Sequence, residues 1–155
     1  MGGPTAASAS GGGSTSGIGT SGTHQHRHHH HHHHHGSSSS SSREEALRRM
    51  AKLVSSFMAR NDCGPFREPV DWRGMELWDY PKVIKKMMDL GTIKRKLDNH
   101  KYASAFECAE DIRLVWTNCM TYNADGSDFF LLAESFSKRF EDRYRKIRAE
   151  CMCMF

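Results

Sequence analysis

The sequence predicts an all-α fold, a bundle of four amphipathic helices. Three observations carry that prediction. Apolar residues recur at three- and four-residue spacing in four separate stretches, the period of a helix with one buried face. No stretch alternates apolar and polar with period two, so no half-buried strand is expected. Ser or Asp stands just ahead of each periodic stretch, where a side-chain oxygen can accept from the first-turn N–H groups. Helices of 10–20 residues, each with one apolar face, pack most simply as a bundle.

Taken in order, the first helix runs from Arg43 to about Arg60. Ser42 with Glu45 reads as its capping box, and Leu47, Met50, Leu53, Val54, Phe57 and Met58 form its apolar stripe. Asn61-Asp62-Cys63-Gly64-Pro65 ends it. From Gly64 to about Asp79 the periodicity breaks, yet Phe66, Val70, Trp72, Met75, Leu77 and Trp78 make the segment strongly apolar. Long loops in compact domains usually bind something. Asp79 reads as the cap of a short helix with Pro81 in its first turn, and Asp89 as the cap of another carrying Ile93 and Leu97. Ser104 and Glu107 repeat the capping box and open a helix through Phe106, Ala109, Ile112, Val115, Trp116 and Cys119. After the turn Ala124-Asp125-Gly126, Ser127 caps the last helix, with Phe129, Leu132, Ala133, Phe136, Phe140, Tyr144 and Ile147 on one side. On spacing alone, Met87-Met88 and Phe129-Phe130 read as core.

Composition divides the chain. Residues 1–42 hold nine of the 13 glycines, ten of the 11 histidines and eleven serines, with Arg27 as the sole charged side chain. With so few large apolar groups this Gly/Ser/His-rich tail is expected to be disordered. Its run of eight histidines, His28 to His35, reads as an inert low-complexity tract or an affinity tag, or else as a contact for a divalent ion. Residues 43–155 form one domain with a net charge of only +3, spread along the chain. That argues against a sequence-specific nucleic-acid binder with a clustered basic face. No apolar run approaches the roughly 18 residues of a membrane span, and nothing at Met1 resembles a secretion signal. The odd cysteine count suggests reduced thiols in the cytosol or nucleus.

Candidate chemistry is sparse. The domain's one histidine, His100, sits in the polar stretch Asp98-Asn99-His100-Lys101 and reads as a surface-turn residue, so a nucleophile–base pair is missing and no enzyme is expected. Cys151-Met152-Cys153 lacks the two further ligands of a structural zinc site, and no metal or other cofactor is expected. Tyr122-Asn123 admits two readings. Asn at a helix end commonly caps it in the left-handed conformation, or its amide stands at a pocket mouth, donating through NH₂ and accepting through oxygen.

Taken together, Gly64-Pro65-Phe66, Val70-Asp71, Leu77-Trp78-Asp79-Tyr80, Met88-Asp89-Leu90-Gly91-Thr92-Ile93 and Asn118-Cys119-Met120-Thr121-Tyr122-Asn123 resemble a bromodomain over about Glu45 to Arg148. The resemblance implies a left-handed four-helix bundle with a long loop between the first two main helices, framing an acetyl-lysine pocket. It assigns Asn123 as the donor to the acetyl carbonyl and Tyr80 as the residue holding that carbonyl through a water. Phe66 and Val70 would meet the acetyl methyl, Met75 and Leu77 would form the loop wall, Tyr122 and Cys119 the back, and Phe129 the gate. It further implies a nuclear, chromatin-associated regulator of transcription with acetylated histone tails as partners. Other acetylated proteins remain a second possibility, and a structural bundle with a vestigial pocket a third.

A single such pocket has few anchors, so affinity on the order of 10 to several hundred micromolar is expected. Glu68, Glu76, Asp79, Asp125 and Asp128 could flank the pocket and favour a basic peptide. Two positions depart from the family pattern. Gly64 replaces a tryptophan that often forms a shelf, and Met87 replaces a proline before Met88-Asp89. Trp78 is the candidate to fill the gap at Gly64.

Overall fold

The computed structural model describes residues 38–151, with side chains from residue 41 onward. The expected disorder of the tail, its histidine run and Cys153 therefore fall wholly or mainly outside the described residues. Six helices follow one another: α1 (Ser38–Met58), α2 (Gly64–Arg67), α3 (Tyr80–Val83), α4 (Leu90–Asp98), α5 (Ala105–Tyr122) and α6 (Asp128–Glu150), with a 3₁₀ turn at Asn61–Cys63. Among the described residues there is no strand. The long elements α1, α4, α5 and α6 are the four predicted helices. The connection from α1 to α4 is the predicted long loop, stiffened by the two single-turn helices.

Capping chemistry sets most of the boundaries. Asp89 accepts from Thr92 N at 2.9 Å and from Thr92 Oγ1 at 2.6 Å. Ser104 accepts from Glu107 N at 3.3 Å, and Glu107 reaches back to Ala103 N at 2.9 Å. Ser127 accepts from Phe130 N at 3.4 Å. The first helix differs: it starts at Ser38, so Ser42 lies inside it and does not cap it. Once a helix is nucleated each added serine costs only about 0.5 kcal/mol relative to alanine. Gly64-Pro65 likewise opens a turn of helix where the sequence suggested only a break, because the fixed φ of proline suits a first-turn position.

Arg67 closes the end of α1, donating to the Met58 carbonyl at 2.8 Å and to the Arg60 carbonyl. The Arg67 carbonyl in turn lies so close to α4 that a Cβ on Gly91 would sit 2.5 Å from it. Glycine at that position lets the loop rest on the first turn of α4.

The core is the junction of four aromatic rings. Phe66 meets Trp116 and Phe136 edge-on at 5.1 and 5.2 Å, Trp116 meets Phe136 at 5.2 Å, and Phe57 packs on both from α1. Such pairs add about 0.5–1.5 kcal/mol each beyond area burial. The predicted stripes of α1, α5 and α6 supply most of the buried residues, with three corrections. Phe106 is exposed, because the buried face of α5 begins with Ala105, Cys108 and Ala109. Met87 and Phe129 are also exposed, the latter because it stands in the first turn of α6, before that helix meets the core.

One buried polar knot ties α4 to α5. Asp111, 4% exposed, accepts from Tyr102 Oη at 2.7 Å and Lys96 Nζ at 2.6 Å, with Lys86 Nζ at 3.4 Å. Burial alone would raise its pKa, but the hydrogen bonds from Lys96 and Tyr102 and the two lysine charges outweigh that and hold the carboxyl below its usual range. Burial, with Asp111 beside it, pushes the Cys108 thiol up to about 12, so it stays protonated and inert.

Phe57→Ala and Phe140→Ala, at 4% and 0% exposure, should each lower stability by roughly 3–5 kcal/mol in urea melts; a loss below about 1 kcal/mol would place these rings outside the cooperative core. Asp111→Asn should cost about 1–3 kcal/mol near neutral pH. The folded carboxyl titrates below the unfolded value of about 3.9, so its contribution is complete above that pH and is lost as pH falls through the folded value. The gap between parent and variant should therefore be constant from pH 7 to about 5 and shrink only as pH falls through the folded value; a gap that already closes above pH 5 would refute the ionised knot.

Candidate functional site

A cavity of about 320 Å³ opens between the long loop and the junction of α5 with α6. All nine residues singled out from the sequence line it: Asn123, Tyr80, Phe66, Val70, Met75, Leu77, Cys119, Tyr122 and Phe129. The sequence did not single out Pro69, Asp71, Met88, Val115 or Asn118 for it, whereas Glu68 was expected at its flank. Asn118 carried a usable signal, a polar residue on the buried side of α5 one turn before Tyr122. It is 8% exposed and donates from Nδ2 to the Lys86 carbonyl at 2.7 Å, pinning the segment that carries Met88 against α5.

The floor is apolar and rigid. Phe66 is 3% exposed and belongs both to the cavity and to the aromatic junction, so the core fixes its ring. Val70 and Leu77 are half-buried on the loop, whereas Met75 is largely exposed. Phe129 stands at the opening, also exposed, and its carbonyl accepts from Cys119 Sγ at 3.4 Å.

The polar groups are few and held in place. Asn123 follows the last residue of α5 with φ −91° and ψ 148°, so it is extended and does not take the left-handed capping conformation. Its backbone N–H donates to the Cys119 carbonyl at 3.0 Å, and its side-chain Nδ2 donates to the same carbonyl at 2.9 Å. A carbonyl can only accept, so this contact fixes which end of the amide is nitrogen. One N–H of the Asn123 amide is thus committed to the helix end, and Nδ2 also lies 3.6 Å from Cys119 Sγ, an acceptor weak enough for an entering oxygen to displace.

Tyr80 is 5% exposed and packs edge-on against Tyr122 at 4.9 Å. Burial raises its pKa, so the phenol stays neutral and keeps a proton to donate. Tyr122 Oη donates to Asp79 Oδ1 at 2.8 Å. Asp79 therefore does not cap α3 through its side chain as the sequence suggested; it ties the loop to the end of α5. That hydrogen bond, more than burial, raises the Tyr122 pKa. Burial raises the Cys119 thiol pKa, so it meets the cavity as a neutral, weakly polar wall.

Glu68 and Asp71 line the cavity and are exposed, which puts their charge at its rim. His100 is exposed and left-handed at φ 53°, away from this site, in the surface turn expected of it. Trp78 packs edge-on against Trp72 at 6.1 Å and does not line the cavity, so it leaves the space at Gly64 open. A Cβ added to Gly64 meets nothing within 4 Å.

Comparison with known sequences shows which proteins this chain is similar to. The sequence profile of the bromodomain matches residues 50–135. Transcription factor GTE1 of Arabidopsis thaliana is 40% identical over 100 residues, covering 64% of this chain and 26% of that protein. Transcription factor GTE4 of the same plant is 39% identical over 106 residues, covering 68% of this chain and 14% of that protein. The chain thus spans about a quarter or less of the length of these relatives.

Proposed function

Since the chain belongs to the bromodomain family, we propose that its cavity binds N-acetyl-lysine on histone tails, and that the protein acts in the nucleus as a reader of acetylated chromatin in transcription regulation. The observation that carries this reading is the Asn123 amide, oriented by the Cys119 carbonyl beside the apolar floor of Phe66.

The chemistry follows from what acetylation changes. An unmodified lysine would bring an ammonium to a floor of Phe66, Val70 and Val115, at a cost of several kcal/mol in lost hydration. Glu68 and Asp71 are solvated at the rim and do not follow the charge inward. Acetylation removes the charge and leaves one strong acceptor, one N–H and a methyl. The second N–H of Asn123, in place of its weak contact with Cys119 Sγ, donates to the acetyl carbonyl, and Tyr80 Oη holds the same oxygen through a water. The methyl rests on Phe66 and Val70. Met75 and Leu77 line the side of the lysine stem, Tyr122 and Cys119 close the back, and Phe129 flanks the entrance. These are binding roles, with no bond made or broken.

The relatives are named as transcription factors, which favours chromatin as the setting. Rim carboxylates favour a basic peptide and speed its encounter. That feature prefers histone tails to the alternative, acetyl-lysine on another protein.

Asn123→Ala should leave the bundle folded, because the backbone N–H still satisfies the Cys119 carbonyl. The lost ligand hydrogen bond, worth roughly 1–3 kcal/mol, should take an acetylated histone peptide out of the measurable range in calorimetric titration. Unchanged affinity would remove the site assignment.

Gly64→Trp fills open space at φ −41°, in the right-handed region, which Pro65 disfavours but does not forbid for a residue with a Cβ. An indole covering roughly 40–80 Å² of ligand adds about 1–2 kcal/mol. Ligands extending beyond the acetyl group past residue 64 should gain roughly tenfold, while a minimal acetyl-lysine mimic stays nearly constant. Measuring both ligands on both proteins checks this, and equal changes would mean the space is not beside the bound ligand.

A further inference from the structure

Trp78, the sequence's candidate for the space beside Gly64, faces solvent instead. It is 61% exposed, more than any other exposed large apolar residue among the described ones. An indole left in water to that extent forfeits the burial that would stabilise it. The side chain is nevertheless held. Trp78 packs edge-on against Trp72 at 6.1 Å, and Leu77 N donates to the Trp72 carbonyl at 2.7 Å. Met75 N and Glu76 N close the same loop tip on the Asp71 and Arg73 carbonyls. Glu76 takes a left-handed backbone there, φ 58°, which is uncommon for a residue with a Cβ. Strain of that kind persists only where the surroundings hold it, and it collects at sites that clamp ligands.

The tip sets acid beside the ring. Glu76 and Asp79 are exposed on either side of Trp78 in the chain, and Tyr122 Oη already engages Asp79. Glu76 makes no ion pair among the described residues. Arg73 lies over Trp72 at 4.7 Å, so one indole of the pair holds a guanidinium from the loop itself. No lysine or arginine lies over Trp78 among the described residues.

We propose that Trp78, with Glu76 beside it, is a subsite for an arginine or lysine of the bound peptide, two or three residues from its acetyl-lysine. The proposal rests on the acetyl-lysine reading and adds a second point of recognition to it. The reach is short. Leu77 lines the cavity and precedes Trp78, and consecutive Cα atoms are about 3.8 Å apart. An extended peptide advances about 3.3 Å per residue. Its second or third neighbour therefore stands roughly 7–10 Å from the acetyl-lysine, clear of the cavity and beside the loop tip.

Chemistry selects a cation for this place. The face of an indole attracts a guanidinium or ammonium more strongly than any other aromatic side chain does, and the Glu76 carboxylate adds charge to that attraction. Glu68 and Asp71 at the cavity rim favour the same sign. An apolar anchor fits less well, because such anchors need a desolvated pocket and Trp78 is an exposed ring.

Calorimetric titration at about 300 mM salt, where long-range attraction is screened, tests the subsite. The peptides carry one acetyl-lysine in a glycine–serine background and one arginine, moved from three residues before it to three after. Citrulline, of the same shape without the charge, replaces arginine in the controls. On the parent protein, arginine should exceed citrulline by about two- to fivefold at one or two positions. In Trp78→Leu, which keeps apolar bulk without a ring, that ratio should fall below about 1.5 while the citrulline peptides bind as before. Trp78→Phe should keep part of the advantage. An arginine advantage equal in parent and Trp78→Leu, or absent from the parent, would overturn the subsite. So would equal losses of the arginine and citrulline peptides in Trp78→Leu, which would reduce the ring to a brace for the loop. Phenylalanine binding as tightly as arginine at the best position would overturn a cation as the occupant. Acetylated peptides that bind the parent no better than unacetylated ones would overturn the acetyl-lysine reading and the subsite with it, a result distinct from acetyl-dependent binding without an arginine preference.

Discussion

The edge-to-face contact of Phe66 with Trp116 and Phe136 is the constraint on which the rest depends. Phe66 comes from the loop, Trp116 from α5 and Phe136 from α6, and Phe57 adds α1. One junction therefore fixes the loop to three of the four long helices. A loop of this length would ordinarily be mobile on its own, but a ring 3% exposed in the middle of the core cannot move without opening a cavity. The binding floor is rigid because it is core. Trp116 accepts a penalty there: its Nε1 is buried with no acceptor among the described residues, a loss of about 1–3 kcal/mol. Burying an indole returns more than that, about 4–6 kcal/mol for 150–250 Å².

Around that floor the polar groups are positioned by hydrogen bonds within the protein itself. The Cys119 carbonyl turns the Asn123 amide, Asp79 holds Tyr122, and Asn118 pins the segment bearing Met88. Each joins two elements: the last turn of α5 to the chain leaving it, the loop before α3 to α5, and the segment before α4 to α5. Geometry of this kind lets few anchors discriminate, because donors already in place need not be ordered on binding. It also explains why a neutral amide suffices. On the proposed reading the discrimination is against the desolvation of an ammonium, and such a pocket needs only to exclude water and offer one well-aimed donor.

The fold was legible in the sequence where one physical cause acted alone. Helical periodicity and the caps at Asp89, Ser104 and Ser127 each depend on a few neighbouring residues, and these boundaries agree with the sequence reading to within a residue or so. Tertiary competition hid the rest. Asp79 has the right residue type and place for a cap, but the Tyr122 hydroxyl claims its carboxylate from 43 positions away. Phe129 and Met87 have core spacing, yet the helix start and the loop put them in solvent. The nine cavity residues became legible only through the family resemblance. Spacing alone gave no sign that Tyr80 and Asn123 face one space, since they come together through loop closure. Asn118 and Asp71 were missed for the same reason.

Charge follows the same division between what is local and what folding assembles. Glu68 and Asp71 come from the loop to the rim of the cavity that Tyr80 and Asn123 also line. On the proposed reading that rim attracts a basic acetylated tail, while the cavity itself holds one uncharged acyl group. Salt screens the first contribution and leaves the second nearly unchanged, so ionic strength should slow the encounter more than it empties the cavity.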